Sequence, residues 1–265
     1  MNRFRHGIAV VSGTAVTTAC LVLAGALPAA LSGTASAAAG TPSATVAQAA
    51  TVSVIRSVSP AYVAPKRTLR YGMRGSDVKA LQQRLGSLKY YPGTADGVFG
   101  PNTLEAVWAF QEVQHLSADG IVGPLTGHAL VSPRTFPARY PRGGALRVEI
   151  SLKTRVLVLY RNNKIALISH VSTGGGYLYR SGNGWARAIT PTGHFRTTRY
   201  LPGWIRVPLG QMYNSVFFIG TTYAMHGDTY VPVNPVSHGC VRMPMDIAAF
   251  FHTMLKTPGT PVYIY

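Results

Sequence analysis

Cysteine is nearly absent from this chain. Of 265 residues only Cys20 and Cys240 are cysteines, and Cys20 falls in an N-terminal stretch that reads as a cleaved export leader. A mature chain with one thiol has no intramolecular disulfide, which excludes a disulfide-stapled fold. An unpaired thiol in an oxidising compartment is poorly explained as structure and well explained as a nucleophile. Cys240 stands in Ser237-His238-Gly239-Cys240-Val241-Arg242-Met243, with His226 a short distance upstream. Acidic residues are scarce too. The 8 Asp and Glu stand against 25 Lys and Arg, for +17 at pH 7, and loss of Arg3 and Arg5 with the leader lowers this by two.

The leader is read from three features. Arg3, Arg5 and His6 precede an apolar stretch over residues 8–31, and Thr34-Ala35-Ser36-Ala37-Ala38 contains a small-x-small pattern. Cleavage is expected after Ala37, which makes residues 1–37 a signal peptide. A retained transmembrane anchor is the alternative that the apolar length allows. Thr17-Thr18-Ala19 is a poor lipobox for Cys20. Residues 38–65, rich in Ala, Thr, Ser, Val and Pro, read as a flexible tether. The remaining stretch of about 200 residues suffices for one small and one medium domain. An exported protein rarely meets nucleic acid, so no nucleic-acid role is expected. Scattered positive charge would hold the chain near envelope polyanions, and it serves solubility equally well.

Residues 66–132 contain an internal echo. Ala95-Asp96-Gly97-Val98-Phe99-Gly100-Pro101-Asn102-Thr103 recurs as Ala118-Asp119-Gly120-Ile121-Val122-Gly123-Pro124-Leu125-Thr126. Each copy sets Asp-Gly at a tight turn, an apolar pair to anchor the loop, Gly-Pro, and a Thr expected to cap a helix. Ser76 or Asp77 is expected to cap a first helix with Val78, Leu81, Leu85 and Leu88 on one face. A second runs from Leu104 to Val113, and a short third around Gly127 to Val131 closes a three-helix bundle.

Residues 133–144 read as a linker, after which the period becomes that of strands. Leu146, Val148, Ile150 and Leu152 alternate with Arg147, Glu149 and Ser151, and Asn162-Asn163 marks a hairpin. Strands are also expected over 155–160, 164–172, 194–199, 216–219 and 262–265. One late helix carries Ile247, Phe250, Phe251, Met254 and Leu255 on a face. The fold class is therefore multi-domain: a small three-helix bundle, then a mostly-β domain over 145–265 with one packed helix.

Two resemblances rest on particular residues. Leu69-Arg70-Tyr71-Gly72-Met73-Arg74-Gly75-Ser76-Asp77-Val78, Leu81-Gln82, Asp96-Gly97-Val98-Phe99-Gly100, Thr103, Ala106-Val107 and Phe110-Gln111 resemble the helical peptidoglycan-binding domain of wall enzymes. Thr190-Pro191-Thr192-Gly193-His194-Phe195, Met225-His226-Gly227 and Ser237-His238-Gly239-Cys240-Val241-Arg242 resemble the L,D-transpeptidase catalytic domain. That family usually has Thr or Ser soon after the upstream His-Gly; here Asp228 is the next residue.

The second resemblance implies an exported cell-wall enzyme without cofactor or metal. Its partners would be peptidoglycan stem peptides and glycan, with anionic wall polymers as a further contact and no stable protein partner. A free thiol has a pKa of about 8.5, so it needs a base, and His226 takes that role by resemblance. His238, two residues from Cys240, would share its side in an extended segment and assist. Gly239 lets backbone approach the reacting carbonyl, and the N–H groups of Gly239 and Cys240 are candidate oxyanion donors. The Gly227 carbonyl is expected to orient the His226 ring. Arg242, Ser237 and Tyr223 are candidate substrate contacts, Arg242 through a substrate carboxylate or else in a structural ion pair; Trp204 and Tyr223 line the cleft or pack in the core. By resemblance, Cys240 attacks the third residue of a tetrapeptide stem, expels D-alanine and passes the acyl group to an amine, giving a 3→3 cross-link. Water as acceptor would make an L,D-carboxypeptidase, and carbapenems would acylate the thiol. The rivals are a zinc hydrolase using His226, Asp228, His238 and Cys240, and a non-catalytic wall-binding protein.

Overall fold

The computed structural model describes residues 61–182 and 184–265. The expected signal peptide, its cleavage site and most of the tether lie outside the described residues. Among the described residues no helix is long and apolar enough to cross a membrane.

Three helices open the fold: α1 (Ser76–Ser87), α2 (Pro101–Val113) and α3 (Pro124–Val131). The expected caps are not used. Gly75, Gly100 and Gly123 occupy the N-cap positions without side-chain capping bonds, and Pro opens α2 and α3. Proline suits a first turn because its missing N–H would have had no helical partner. The Thr of each echo, Thr103 or Thr126, instead sits inside its helix and meets a buried glutamine.

That glutamine explains why the echo exists. Gln82 donates from Nε2 to Asp96 Oδ1, Val98 O and Thr103 Oγ1 at 3.0–3.1 Å, and its Oε1 accepts the Gly97 N–H at 2.8 Å. Gln111 repeats the set with Asp119, Ile121 and Thr126, and accepts the Gly120 N–H at 2.9 Å. One buried amide thus ties a whole turn to its helix. Gln111→Leu orphans a buried N–H and the turn acceptors, each worth about 1–3 kcal/mol. We expect a loss of about 3 kcal/mol, a fall in Tm of about 10 °C, measurable by calorimetry, with Gln82→Leu behaving alike.

Eleven strands come next among the described residues: β1 (Arg147–Ser151), β2 (Val156–Arg161), β3 (Lys164–His170), β4 (Leu178–Ser181), β5 (Gly184–Arg187), β6 (Gly193–Arg196), β7 (Arg199–Val207), β8 (Gly210–Ile219), β9 (Tyr223–Asp228), β10 (Val241–Pro244) and β11 (Pro261–Ile264). They form a sheet of order β3-β2-β1-β11-β6, a second of order β10-β9-β8-β7, and the β4-β5 hairpin. Helix α4 (Met245–Phe251) continues into a 3₁₀ turn at His252–Met254. The main core lies between the two large sheets and α4, around Val148, Ile150, Leu157, Leu159, Val216, Phe218, Met225, Val241, Ile247 and Phe251.

The helical module does not stand apart from this sandwich. Val156, Val158, Tyr160 and Ile168 join the core formed by Leu81, Leu85, Phe110 and Leu130. Strand β2 is therefore apolar on both faces, odd positions toward the sandwich and even positions toward the helices, which accounts for its uninterrupted run Val156-Leu157-Val158-Leu159-Tyr160. A buried cluster reinforces the junction. Glu112 of α2 accepts from Arg155 at 3.2 Å and meets His170 Nδ1 at 3.0 Å, while His170 Nε2 lies 3.1 Å from Pro232 O. Burial pushes the Glu112 carboxyl up, against the pull of His170 and Arg155.

The alternation in β1 is real, but its polar face is not open to water. All five residues of β1 are buried. Arg147 and Glu149 pair at 2.7 Å under residues 139–144. Glu149 also accepts the N–H groups of Arg139 and Tyr140, and Arg147 donates to Gly144 O and Asn163 Oδ1. Tyr140 stacks on Tyr263 at 4.4 Å. The segment read as a linker is thus fastened across the sheet by hydrogen bonds that the buried carboxylate requires.

Candidate active site

The segment that carries Cys240 is gripped on both sides. On one side β10 runs parallel to β9, pairing Val241 with Met225 and Arg242 with His226. On the other, Ser172 exchanges both backbone hydrogen bonds with Arg242, the Ser237 N–H donates to Thr173 O, and the Gly175 N–H donates to Ser237 O. Residues 238–240 are bent rather than extended. His238 and Cys240 still line one cavity, brought there by a bend at Gly239, whose φ is 142°.

Gly239 has two reasons to be glycine. Its φ disfavours other residues, and a Cβ would lie 2.6 Å from the Tyr223 ring and 2.7 Å from Ile189 O. Its N–H is donated to Ser237 Oγ at 3.0 Å, and Ser237 Oγ donates to Cys240 O at 2.6 Å. Gly239 N–H is therefore already engaged, which takes it out of the expected oxyanion pair and leaves Cys240 N–H as the backbone candidate. Thr190, noted in the sequence only as part of a turn motif, donates to Gly239 O at 2.7 Å and accepts the Gly174 N–H at 2.9 Å. It ties three loops together beneath the thiol. Gly239→Ala should cut the rate of Cys240 acylation at least about a hundredfold, since a displacement of about 1 Å costs that much; stopped-flow with a thiol-acylating substrate measures it.

The cavity has a volume of about 490 Å³, and its walls include His226, Ser237, His238, Cys240, Arg242 and Tyr223. The candidate nucleophile, both histidines and the three candidate substrate contacts therefore converge. Gly227 is absent from the wall; its missing side chain makes room for Ala248 of α4, 2.7 Å from where a Cβ would be. Trp204 is also elsewhere, half-exposed and packed on Tyr213 at 5.4 Å. The outer walls come from the β4-β5 hairpin, through Tyr179 and Arg180, and the β7-β8 turn, through residues 207–212. Neither wall is legible in the sequence, because a hairpin of mostly exposed residues leaves little period-2 signal.

His226 is buried on β9, and its Nδ1 lies 2.9 Å from Gly227 O. A carbonyl only accepts, so Nδ1 carries the proton and Nε2 keeps a lone pair. Burial holds the His226 pKa below its ordinary value; the Gly227 bond and Asp228 oppose this and Arg242 adds to it. Burial also pushes the Cys240 thiol up, with the Ala224 N–H and Arg242 acting against it. The half-buried thiol also has Thr222 O at 3.8 Å and Met212 Sδ at 4.0 Å within reach. His238 lies edge-on to Tyr179 at 4.7 Å and Tyr177 at 5.5 Å, and burial, then Arg242, lowers its pKa.

Asp228, the departure from the family pattern, pairs with Arg242 at 3.2 Å. Arg242 thus has a structural partner while still reaching the cavity wall. Among the described residues no three His, Cys, Asp or Glu side chains gather closely enough to hold a metal, so the four donors named for a zinc site do not form a ligand group.

Comparison with known proteins identifies both domains. Residues 145–264 match the L,D-transpeptidase catalytic domain, and residues 74–130 match the peptidoglycan binding domain. The crystal structure of an L,D-transpeptidase (residues 123–326) from Xylanimonas cellulosilytica is 34% identical, with a TM-score of 0.70 over 76% of this chain and 98% of that one. The chain belongs to the L,D-transpeptidase family, with a helical peptidoglycan-binding domain ahead of a mostly-β catalytic domain. A zinc D-Ala-D-Ala carboxypeptidase of Streptomyces albus G is 47% identical over 64 residues, 22% of this chain and 24% of that protein. An uncharacterized protein of Kitasatospora aureofaciens is 57% identical over 53 residues, 20% of this chain and 45% of that protein. The chain thus spans under half the length of these curated relatives.

Proposed function

We propose that this protein is an extracytoplasmic enzyme that forms 3→3 cross-links between peptidoglycan stem peptides through a thioester on Cys240. The observation that carries this reading is one cavity walled by Cys240, His226 and His238, in which the His226 ring is held by Nδ1 on Gly227 O and Nε2 has no hydrogen-bond partner among the described residues. Arg180 and Arg242 in the cavity wall offer guanidinium groups to substrate carboxylates, which suits a stem peptide. The sulfur gives its proton to His226 Nε2 and attacks the carbonyl of the third residue. The tetrahedral oxyanion is held by Cys240 N–H. It collapses as His226 returns the proton to the departing D-alanine amine, leaving a thioester. An amine of a second stem then attacks the thioester carbonyl and His226 takes its proton; the C–S bond breaks as the new amide forms, and His226 returns the proton to the departing sulfur, restoring the thiol. The thiol and imidazole need not touch at rest, because such bonds are often loose until substrate is bound.

The test is incubation with disaccharide-tetrapeptide followed by mass spectrometry. A cross-linked product with loss of D-alanine is the expected result. Loss of D-alanine with water added instead means carboxypeptidase action on the same thioester. No change with wild-type protein overturns the enzyme reading.

A further inference from the structure

A second groove lies where the helical module meets the segment joining β9 to β10. It has a volume of about 450 Å³, and its walls include Tyr71, Glu105 and Trp108 from the helical side and Tyr230, Pro232 and Asn234 from the sandwich side. Tyr71 is 59% exposed and Tyr230 is 63% exposed. Large aromatic faces left in water around one groove are unusual unless something covers them.

The charge of this groove separates it from the rest of the molecule. The chain holds 25 Lys and Arg, yet among the described residues none lines this groove. The cavity at Cys240 has Arg180 and Arg242 in its wall. A carboxylate-bearing peptide or a phosphate polymer is therefore drawn to the thiol cavity and finds no counter-charge here. Flat apolar faces with hydrogen-bonding groups beside them suit a ligand with apolar ring faces and hydroxyl or acetamido edges. Glu105 and Asn234 provide hydrogen-bonding groups in the wall, and burial pushes the Glu105 carboxyl up to about 7.

We infer that this junction groove is a saccharide-binding site for a β-linked amino-sugar chain, with Tyr71, Trp108 and Tyr230 as its aromatic platforms. The inference rests on the wall-enzyme reading for its biological ligand, and it gives that reading a geometry. The groove wall over 229–234 begins just after Asp228 of β9 and ends shortly before Ser237. Its Pro232 carbonyl is tied to His170. A sugar chain lying here would be held against the same segment that joins the candidate base to the candidate nucleophile.

The probe is the hexamer of β-1,4-linked N-acetylglucosamine, titrated into the full chain while the Trp108 indole N–H is followed by NMR. A free stem tetrapeptide is titrated in parallel. The expected result is a saturable shift of Trp108 with the saccharide and none with the tetrapeptide, retained in Cys240→Ala and weakened about tenfold in both Tyr71→Ala and Tyr230→Ala. Both tyrosines are exposed, so the variants should keep the wild-type melting temperature, which is checked first. Absence of saccharide binding, binding indifferent to both substitutions, or a Trp108 shift with the peptide instead would overturn the inference. If wild-type protein ignores the saccharide while Cys240 is still acylated by a tetrapeptide substrate, the groove falls and the enzyme reading stands.

Discussion

Cys240→Ala is expected to abolish both D-alanine release and cross-link formation, with no acyl-enzyme mass detectable. His226→Ala should slow acylation of Cys240 by about 10²–10⁴-fold, the usual contribution of a positioned base. The pH profile distinguishes how the pair works. Burial keeps His226 below its ordinary 6.5 and Cys240 above its ordinary value. Both directions favour a neutral imidazole and a neutral thiol in the one cavity at rest, with the proton moving during attack. As pH rises through the depressed His226 pKa the base loses its proton and kcat/KM climbs, so the acid limb should lie below pH 6.5 and the plateau should span neutrality. A limb centred above that value, or one unchanged in His226→Ala, would contradict the assignment. Stopped-flow acylation from about pH 4.5 to about pH 8, a range that brackets an ordinary histidine, supplies the measurement.

Glu149→Ala should be among the most destabilising single changes in the chain. Arg147 and Glu149 are both essentially inaccessible to water, and removing the carboxylate leaves a guanidinium charge with no counter-ion. Breaking a buried pair in this way costs about 3–5 kcal/mol, or a Tm lower by roughly 10–15 °C. The Arg139 and Tyr140 N–H groups lose their acceptor in the same step. If the orphaned charge is the main cause, Arg147→Met combined with Glu149→Ala should recover part of the loss. A double variant no more stable than the single one would shift the cause to residues 139–144. Calorimetry on the three variants decides.

The difference between these two sites illustrates what can be read from a linear chain. The thiol chemistry is legible because it depends on residue identity over short spans: one cysteine, a histidine two positions before it, a glycine between them, and an upstream His-Gly. The hydrogen bond from His226 to Gly227 joins adjacent residues, so it too lies within reach of local reasoning. The role of Gln82 and Gln111 is half visible. The repeat is evident, and so are Leu81-Gln82 and Phe110-Gln111, but a buried amide feeding a turn on another segment leaves no periodic trace. Asp228 stands out only as a departure from the family pattern. Its partner Arg242 is two residues past the cysteine, and only the parallel pairing of β9 with β10 brings them together.

The kinds of chemistry present and much of the local backbone are thus properties of the linear chain: the turns at Asp-Gly, the helical faces and the alternation of β1. They arise from side-chain identity and from backbone preferences that act over a few residues. Where each polar group finds its partner is a property of the folded molecule. Folding covered the charged face of β1 with residues 139–144, committed the Gly239 N–H to Ser237, joined the helical module to β2 in one core, and left an aromatic groove without Lys or Arg in its described wall at their junction. Those outcomes depend on which distant segments exclude water from one another, and burial forces polar atoms caught there to be satisfied by whatever the fold has brought beside them.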